Sequence, residues 1–485
     1  MESQAGRLRR SCTENWAWGR LLGMRRPTIT IDASHTLGSG KNTGIERVVR
    51  NLCRELPSIL QERGCPGLQI ATHFQSRFLE VDPGLEQCLQ FLSTWERNAG
   101  EFVPGWIQTI PKWIAASSHS AKLRKWMDPR PSHLGIYKLP HHVIRWGSLT
   151  RKVFDGNSIE PSADRILILP DAYWTRRDMW KTVAAHRKAG TMIATVVYDL
   201  IPLTHPEYVG KKRSDKFQSY LDQVVRNSDT IIAISKTVRD DVKRYIEAQE
   251  DRSAMCQDIR AFVLGAELSV PESETTAQSI RPVVKNLFHA SSPYPPYLMV
   301  ASFDPRKNHT QALDAFDLLW KSNPELQICF AGRSGSRCDD FMRRIEQHPK
   351  LNRGLWVFHD LTDLELHHVY EHCSGVLLPS IVEGFGLPIV ESLWHGRKTF
   401  ASDTPIHREV GGKCCEYFPL HDPMTLSNQI QAWESLRTAG SSKGGIQGAA
   451  DWSKPTTWRQ SATQLLDAVL DVFAQRVSIP QRRAA

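Results

Sequence analysis

The chain has 485 residues, an apolar share of 41% and a formal net charge of +9, a size that favours two or three domains with ordinary cores over one. No apolar run approaches the roughly eighteen residues of a spanning helix, and residues 1–26, which carry Arg7, Arg9, Arg10, Arg20, Arg25 and Arg26, lack the continuous apolar stretch of a secretory signal and read as a disordered basic leader. The ten cysteines form no Cys-x-x-Cys pair and no zinc-like spacing; that usage suits a reducing, cytoplasmic compartment, with Cys414 and Cys415 as structural thiols.

Residues 28–32 alternate like a strand, and a loop with Gly38, Gly40 and Gly44 follows. Ile45, Val48, Val49, Leu52, Cys53 and Leu56 then fall at helical spacing, with Thr43 and Glu46 as a capping box at the helix start. Strand, glycine loop and helix in that order open many nucleotide-binding lobes. Residues 57–164 read as loops and helices inserted into this first lobe. Within them, residues 112–152 hold nine Lys or Arg against the single acid Asp128, with Trp106, Trp113, Trp126 and Trp146 nearby. Three readings stay open: a solvated face over a Trp-using core, contact with an anionic membrane surface through residues 106–152, or nucleic acid. No nucleic-acid motif accompanies the charge, so nucleic acid is not an expected partner.

Further strands are predicted at 165–169, 192–198 and 230–234, with Ser235 as N-cap of the helix after the last. Pro282, Pro293, Pro295 and Pro296 mark 278–296 as an interdomain linker. A second run of strands follows at 297–303, 326–331, 356–359, 376–378 and 399–401, with Leu313, Phe316, Leu319 and Trp320 on one helix face and Thr362 with Glu365 capping another. Residues 439–449 read as a Gly/Ser-rich loop. The alternation predicts an α/β protein of two Rossmann-like lobes facing each other across a cleft: 27–285, then 286–455, with 456–475 as a last helix.

Chemistry concentrates after two strands of the second lobe. In Pro379-Ser-Ile-Val-Glu383-Gly384-Phe385-Gly386-Leu387-Pro388-Ile-Val-Glu391 a glycine-rich turn leads into a helix. The turn lets a ligand approach the backbone, and the helix start offers free N–H groups and a positive dipole end for a diphosphate. Glu391, about one turn in, suits a ribose diol, and Glu383 suits sugar hydroxyls. In Asp304-Pro305-Arg306-Lys307-Asn308, two adjacent cations stand at a strand end, where they would neutralise a leaving diphosphate, and Asn308 can cap the next helix.

The run 383–391, with Ser402-Asp403 and Glu409-Val410, resembles the Glu-x7-Glu motif of retaining GT-B glycosyltransferases of family 4, glycosyltransferase group 1. The resemblance implies that Glu383 touches the donor hexose, Glu391 the ribose, and the backbone of Gly384, Phe385, Gly386 and Leu387 the sugar and phosphates. It makes Arg306 and Lys307 the donor-phosphate clamp, with Ala301 standing where many members have glycine, and it makes Glu383, Arg306 and Lys307 the catalytic set. Gly332 and Arg333 match a turn near the nucleotide, and 359–361 a segment that reads the base; a simple turn explains both equally well. Thr43-Gly44-Ile45-Glu46-Arg47 and 198–207 resemble mannosyl- and rhamnosyl-type members that build bacterial surface polysaccharides, with Gly44 facing the donor phosphates. Tyr198 stands where other members have His; Asp199 either orients the acceptor or holds the strand end; His205 is the third acceptor-side candidate, with a structural role as its alternative. Trp458, Ala462 and Leu465 look like the family's closing helix, which returns to the first lobe.

The implied activity is metal-independent hexose transfer with retention and no cofactor. The donor would be a nucleotide diphosphate sugar, GDP-mannose first among them, and the acceptor a saccharide or lipid-linked saccharide of lipopolysaccharide or polysaccharide synthesis. The expected place is the cytoplasm, at the inner face of the cell membrane if residues 106–152 bind lipid. The rival readings are a non-catalytic scaffold that binds nucleotide sugar and another GT-B enzyme, a phosphorylase or an epimerase.

Overall fold

The computed structural model describes residues 26–39, 44–81, 157–174, 176, 178–251, 255–268, 280–289, 292–335, 337–438 and 454–478. The basic leader, Thr43, the Trp-rich basic stretch at 106–152 and the loop at 439–449 lie outside them.

The first sheet joins β1 (Thr28–Asp32), β2 (Gln69–Phe74), β3 (Arg77–Glu80), β4 (Arg165–Leu169), β5 (Met192–Val197), β6 (Thr230–Ala233) and β7 (Ile259–Ala261). Their order is β3-β2-β1-β4-β5-β6-β7, parallel except for the antiparallel pair β2 and β3. Ile166, Leu167, Ile168 and Leu169 are all buried, because helices cover both faces of a parallel sheet and its strands become continuous apolar runs. The second sheet joins β8 (Tyr297–Val300), β9 (Ile328–Ala331), β10 (Leu355–Phe358), β11 (Val376–Leu378), β12 (Thr399–Ser402) and β13 (Cys415–Phe418). Its order, β10-β9-β8-β11-β12-β13, is that of a doubly wound dinucleotide fold, whose strand order reverses between β8 and β11. In the first lobe the reversal falls between β1 and β4. Each reversal opens a crevice at the strands' carboxyl ends, and the two crevices face each other.

Four expectations need correction. Residues 57–164 are not wholly an insertion of loops and helices: β2 and β3 extend the sheet. Their alternation is interrupted by the turn at Gln75 and Ser76, both at positive φ. The first helix runs Gly44–Glu62, straight through Pro57. Proline there costs about 3 kcal/mol, but Pro57 is exposed while Ile59 and Leu60 continue the buried stripe, so packing outweighs the local cost. The proline-rich linker contains a helix, Pro282–Leu287. Its Val284, with Phe288 just beyond, packs on Leu298, Cys329 and Val369 of the second lobe, so a boundary at 285 and 286 cuts an element of that lobe. Finally, β8 ends at Val300, and Phe303 makes only an isolated bridge to Ser334.

The closing helix, Trp458–Ser478, returns to the first lobe, where Trp458, Ala462, Leu465, Leu466, Val469 and Phe473 join its core. The Trp458 indole donates to the Glu267 carbonyl at 2.9 Å, and Arg260 pairs with Asp471 at 2.7 Å. No helix among the described residues is long and apolar enough to cross a membrane. Cys414 and Cys415 are free thiols, and burial pushes that of Cys415 up to about 12.

Candidate active site

The site begins with two loops of the second lobe that leave β8 and β11, the neighbours at its topological reversal. After β8, the Asp304 carboxylate accepts a bond from the Arg306 amide at 3.2 Å and caps a 3-10 turn, Pro305–Lys307. That turn throws Arg306 and Lys307 toward the second loop, and the Ile381 amide donates to the Arg306 carbonyl at 2.8 Å, tying the loops together. Asn308 stands at the N-cap position of the next helix, but its side chain makes no capping bond. Its backbone is left-handed and its side-chain amide donates to Gln311 Oε1 at 2.7 Å.

After β11, Glu383 meets both cations. The Lys307 ammonium donates to Oε1, and Arg306 Nη1 lies 3.4 Å from Oε2. Only 8% of the Glu383 side chain is exposed. Burial would raise its carboxyl, but the Lys307 ammonium and then the Arg306 guanidinium outweigh burial and bring it to about 2. Burial pulls the Lys307 ammonium below its ordinary value, against the attraction of Glu383. Glu383 therefore stays a carboxylate throughout the working pH range. It accepts hydrogen bonds and has no proton to donate.

Gly384 and Gly386 are required for different reasons. A Cβ on Gly384 would lie 2.2 Å from the Tyr198 carbonyl oxygen, so this turn docks backbone to backbone on the first lobe. Gly386 has φ +92° and is the residue before the helix Leu387–Trp394, a left-handed position that side chains resist. Phe385 and Val390 bury themselves in the first lobe's core. Ser235 works twice: its hydroxyl donates to the Gly384 carbonyl at 3.0 Å and accepts from the Val238 amide at 3.1 Å, capping the helix Lys236–Glu247 as expected. The same helix start is covered by Glu409 of the second lobe, whose carboxylate accepts from the Lys236 and Thr237 amides at 2.6 and 2.8 Å.

Glu391 is 3% exposed, yet its surroundings are polar. One oxygen takes the guanidinium of Arg47 from the first lobe, and the other accepts from the Tyr370 hydroxyl at 2.7 Å. Arg47 belongs to the quoted Thr-Gly-Ile-x-Arg segment, but nothing local in the sequence points it at a residue 344 positions away. Gly44 stands at the start of its helix, and a Cβ there would lie 3.9 Å from Leu387, so the starts of the helices Gly44–Glu62 and Leu387–Trp394 face each other.

The remaining candidates divide. Asp199 lies with the clamp: burial raises its carboxyl, against the attraction of Arg306 and Lys307. The Tyr198 hydroxyl donates to the Pro170 carbonyl at 2.5 Å, and the residue's own carbonyl faces Gly384. His205 bonds the Thr204 hydroxyl at 2.9 Å and stacks on Tyr208, local contacts that match its structural alternative. The Gly332 carbonyl bonds His359 Nδ1 at 3.1 Å, and the Arg333 carbonyl accepts from the Phe303 amide at 2.9 Å. Both hold the turn after β9, and the Arg333 side chain is exposed.

Residues 289–437, which contain both loops, match the family Glycosyl transferases group 1. The chain carries a group 1 glycosyltransferase domain. Among curated proteins the chain is similar to the serotype-specific mannosyltransferase WbdA of Escherichia coli, 28% identical over 284 residues, which are 58% of this chain and 34% of that one. It is also similar to the O-antigen chain mannosyltransferase B of Escherichia coli, 24% identical over 56% of this chain and 69% of that one. The chain thus spans about a third of the length of WbdA. Among solved structures, an Anabaena protein described as Alr3699/HepE in complex with UDP aligns over 94% of this chain and all of its own, at 12% identity and a TM-score of 0.45.

Proposed function

We propose that the chain is a retaining hexosyltransferase that takes its sugar from a nucleotide diphosphate donor, GDP-mannose first among the candidates. The acceptor is a saccharide or lipid-linked saccharide in surface-polysaccharide synthesis. The observation that carries the proposal is the convergence of Lys307, Arg306 and Glu383 from the two loops at the second sheet's reversal, beside the start of the helix Leu387–Trp394. Ligands of doubly wound sheets bind in that crevice, and a helix start favours an anion. The mannosyltransferase relatives support the choice of sugar.

In this reading the donor's diphosphate draws Arg306 and Lys307 off Glu383. They neutralise the charge that grows on the leaving group, a contribution of about 3–4 kcal/mol for one well-placed donor, and the helix amides at Leu387 add to it without a metal. The freed, still ionised Glu383 accepts hydrogen bonds from hexose hydroxyls. The leaving phosphate takes the acceptor's proton on the same face, which retains the anomeric configuration. In this reading Asp199, whose carboxylate also accepts from the Ile201 amide at 3.1 Å, orients the acceptor from the first lobe. Contact with the inner face of the membrane through residues 106–152 belongs to the same proposal.

The test is a melting-temperature screen against GDP-, UDP- and dTDP-sugars, since a ligand stabilises by RT ln(1 + [L]/Kd), followed by radiolabelled sugar transfer to lipid-linked acceptor. A rise with one nucleotide family and transfer from it are expected; no rise with any of them would refute the donor site.

A further inference from the structure

We propose that Arg47 is an exchangeable cation of the donor site: it holds Glu391 while the site is empty, gives that carboxylate up to the ribose diol, and turns to the donor's diphosphate. This rests on the donor-site reading above.

The contact is built from both lobes. Arg47 lies on the helix Gly44–Glu62 and Glu391 on the helix Leu387–Trp394, each about one turn inside its own helix. Those helix starts face each other, with Gly44 against Leu387. At 1.5 Å rise per residue, Arg47 stands about 4.5 Å and Glu391 about 6 Å along the axis from the respective starts. A guanidinium at that depth reaches either the carboxylate opposite or an anion lying between the two helix ends. Two positive dipole ends aimed at one gap repel each other unless negative charge lies between them. A diphosphate lying in the gap would supply it, whereas Glu391 sits a turn inside its helix and is already paired with Arg47.

The pair also sets a chemical conflict. Glu391 has two oxygens. One is taken by Arg47 and the other by the Tyr370 hydroxyl, and the side chain is 4% exposed against 20% for that of Arg47. A carboxylate offers about four lone-pair sites, so these two bonds leave acceptor capacity free, but with the side chain only 4% exposed a ribose diol gains both oxygens by displacing the partner that covers it. Tyr370 is fully buried in the second lobe's own core and cannot leave. Arg47 is the more exposed partner and comes from the other lobe. Ribose capture and release of the guanidinium into the gap are then one event, and the released charge finds the diphosphate, a better bidentate partner than the carboxylate it leaves.

A permanent strut would behave differently, and titration calorimetry separates the two. Wild type and Arg47→Met are titrated with guanosine, GMP and GDP, and in parallel with uridine, UMP and UDP. The expected result is a crossover: the variant binds the preferred diphosphate about tenfold more weakly, while the matching nucleoside, freed of its competitor, binds several-fold more tightly. Arg47→Lys, which keeps the charge and loses the fork, shows the same signs with smaller shifts, and serves alone should the methionine variant fail to fold. Parallel weakening of nucleoside and diphosphate, or an unchanged ratio between them, overturns the exchange and leaves Arg47 a strut. If wild type binds none of the six ligands and no dTDP-sugar raises its melting temperature, the donor-site reading itself fails, a result distinct from nucleotide binding without the crossover.

Discussion

Lys307 on the loop after β8 bonds Glu383 on the loop after β11, an ion pair across the crevice where the second sheet reverses its strand order. In the proposed reaction the ammonium belongs to the diphosphate and the carboxylate to the hexose, and in the structure each holds the other.

Replacing either partner separates binding from folding. Lys307→Ala and Glu383→Ala should each lower kcat by about 10²–10³-fold, the cost of removing one preorganised charge from a leaving group or sugar. Both should still unfold in one cooperative step, because neither side chain belongs to the apolar core. Sugar-transfer kinetics together with circular-dichroism melting check this; near-normal transfer by both variants would remove them from the site.

Gly384→Ala tests the docking of the two lobes. The added methyl would meet the Tyr198 carbonyl at 2.2 Å, a backbone atom that cannot rotate away, so the lobes must part locally. We expect transfer to fall by up to about a hundredfold, since an ångström of misplacement in a reacting pair costs on that scale. The melting temperature should fall with it, because the same contact helps to hold the lobes closed. An alanine variant with full activity would show that the closed contact is not the active one.

Glu409 caps a helix that is not its own. Its carboxylate takes the Lys236 and Thr237 amides and the Thr237 hydroxyl at 2.6 Å. Losing a cap costs roughly 0.5–2 kcal/mol, here in the free energy of lobe closure as well as of folding. Glu409→Ala should lower the melting point by a few degrees and enlarge the radius of gyration in solution scattering. An unchanged radius would argue that closure is held elsewhere.

Asp32 gives a pH signature. It is wholly buried at the end of β1, where its carboxylate accepts from the Ser34 hydroxyl at 2.6 Å. Burial raises its carboxyl from 3.8 to about 6, with the neighbouring charge of Asp171 adding to the rise. A raised acid binds its proton more tightly when folded, so the folded state gains below about 4 and loses stability as pH climbs from there through 6. The linked change is about 3 kcal/mol. Asp32→Asn should flatten the stability profile across that window in denaturant titrations at pH 4, 5, 6 and 7; a variant with the wild-type slope would place the titration on another group.

Much of the site was legible because its signals are local. A buried strand followed by Gly384, Phe385, Gly386 and Pro388 can hardly be other than a backbone turn into a helix, and Arg306-Lys307 at a strand end advertises an anion. The capping box of Thr362 and Glu365 and the N-cap Ser235 formed as read. The misreadings arose where a local rule met a distant partner. The apolar stripe read as far as Leu56 continues through the buried Ile59 and Leu60, and the prolines near 290 mark a linker until Val284 and Phe288 are seen in the second lobe's core.

The sequence by itself determined two α/β lobes, a glycine-rich turn into a helix, and a carboxylate and cation pair at the strand ends, because strand and helix periods and the chemistry of capping act over a few residues. Only the tertiary structure decided that Arg47 holds Glu391, that Glu409 caps a helix of the other lobe, and that the Tyr198 hydroxyl turns back to Pro170. Those pairings depend on the angle at which two independently folded sheets dock. That angle is set by the fit of whole surfaces, such as Phe385 and Val390 in the first lobe's core, and no short stretch of residues encodes it.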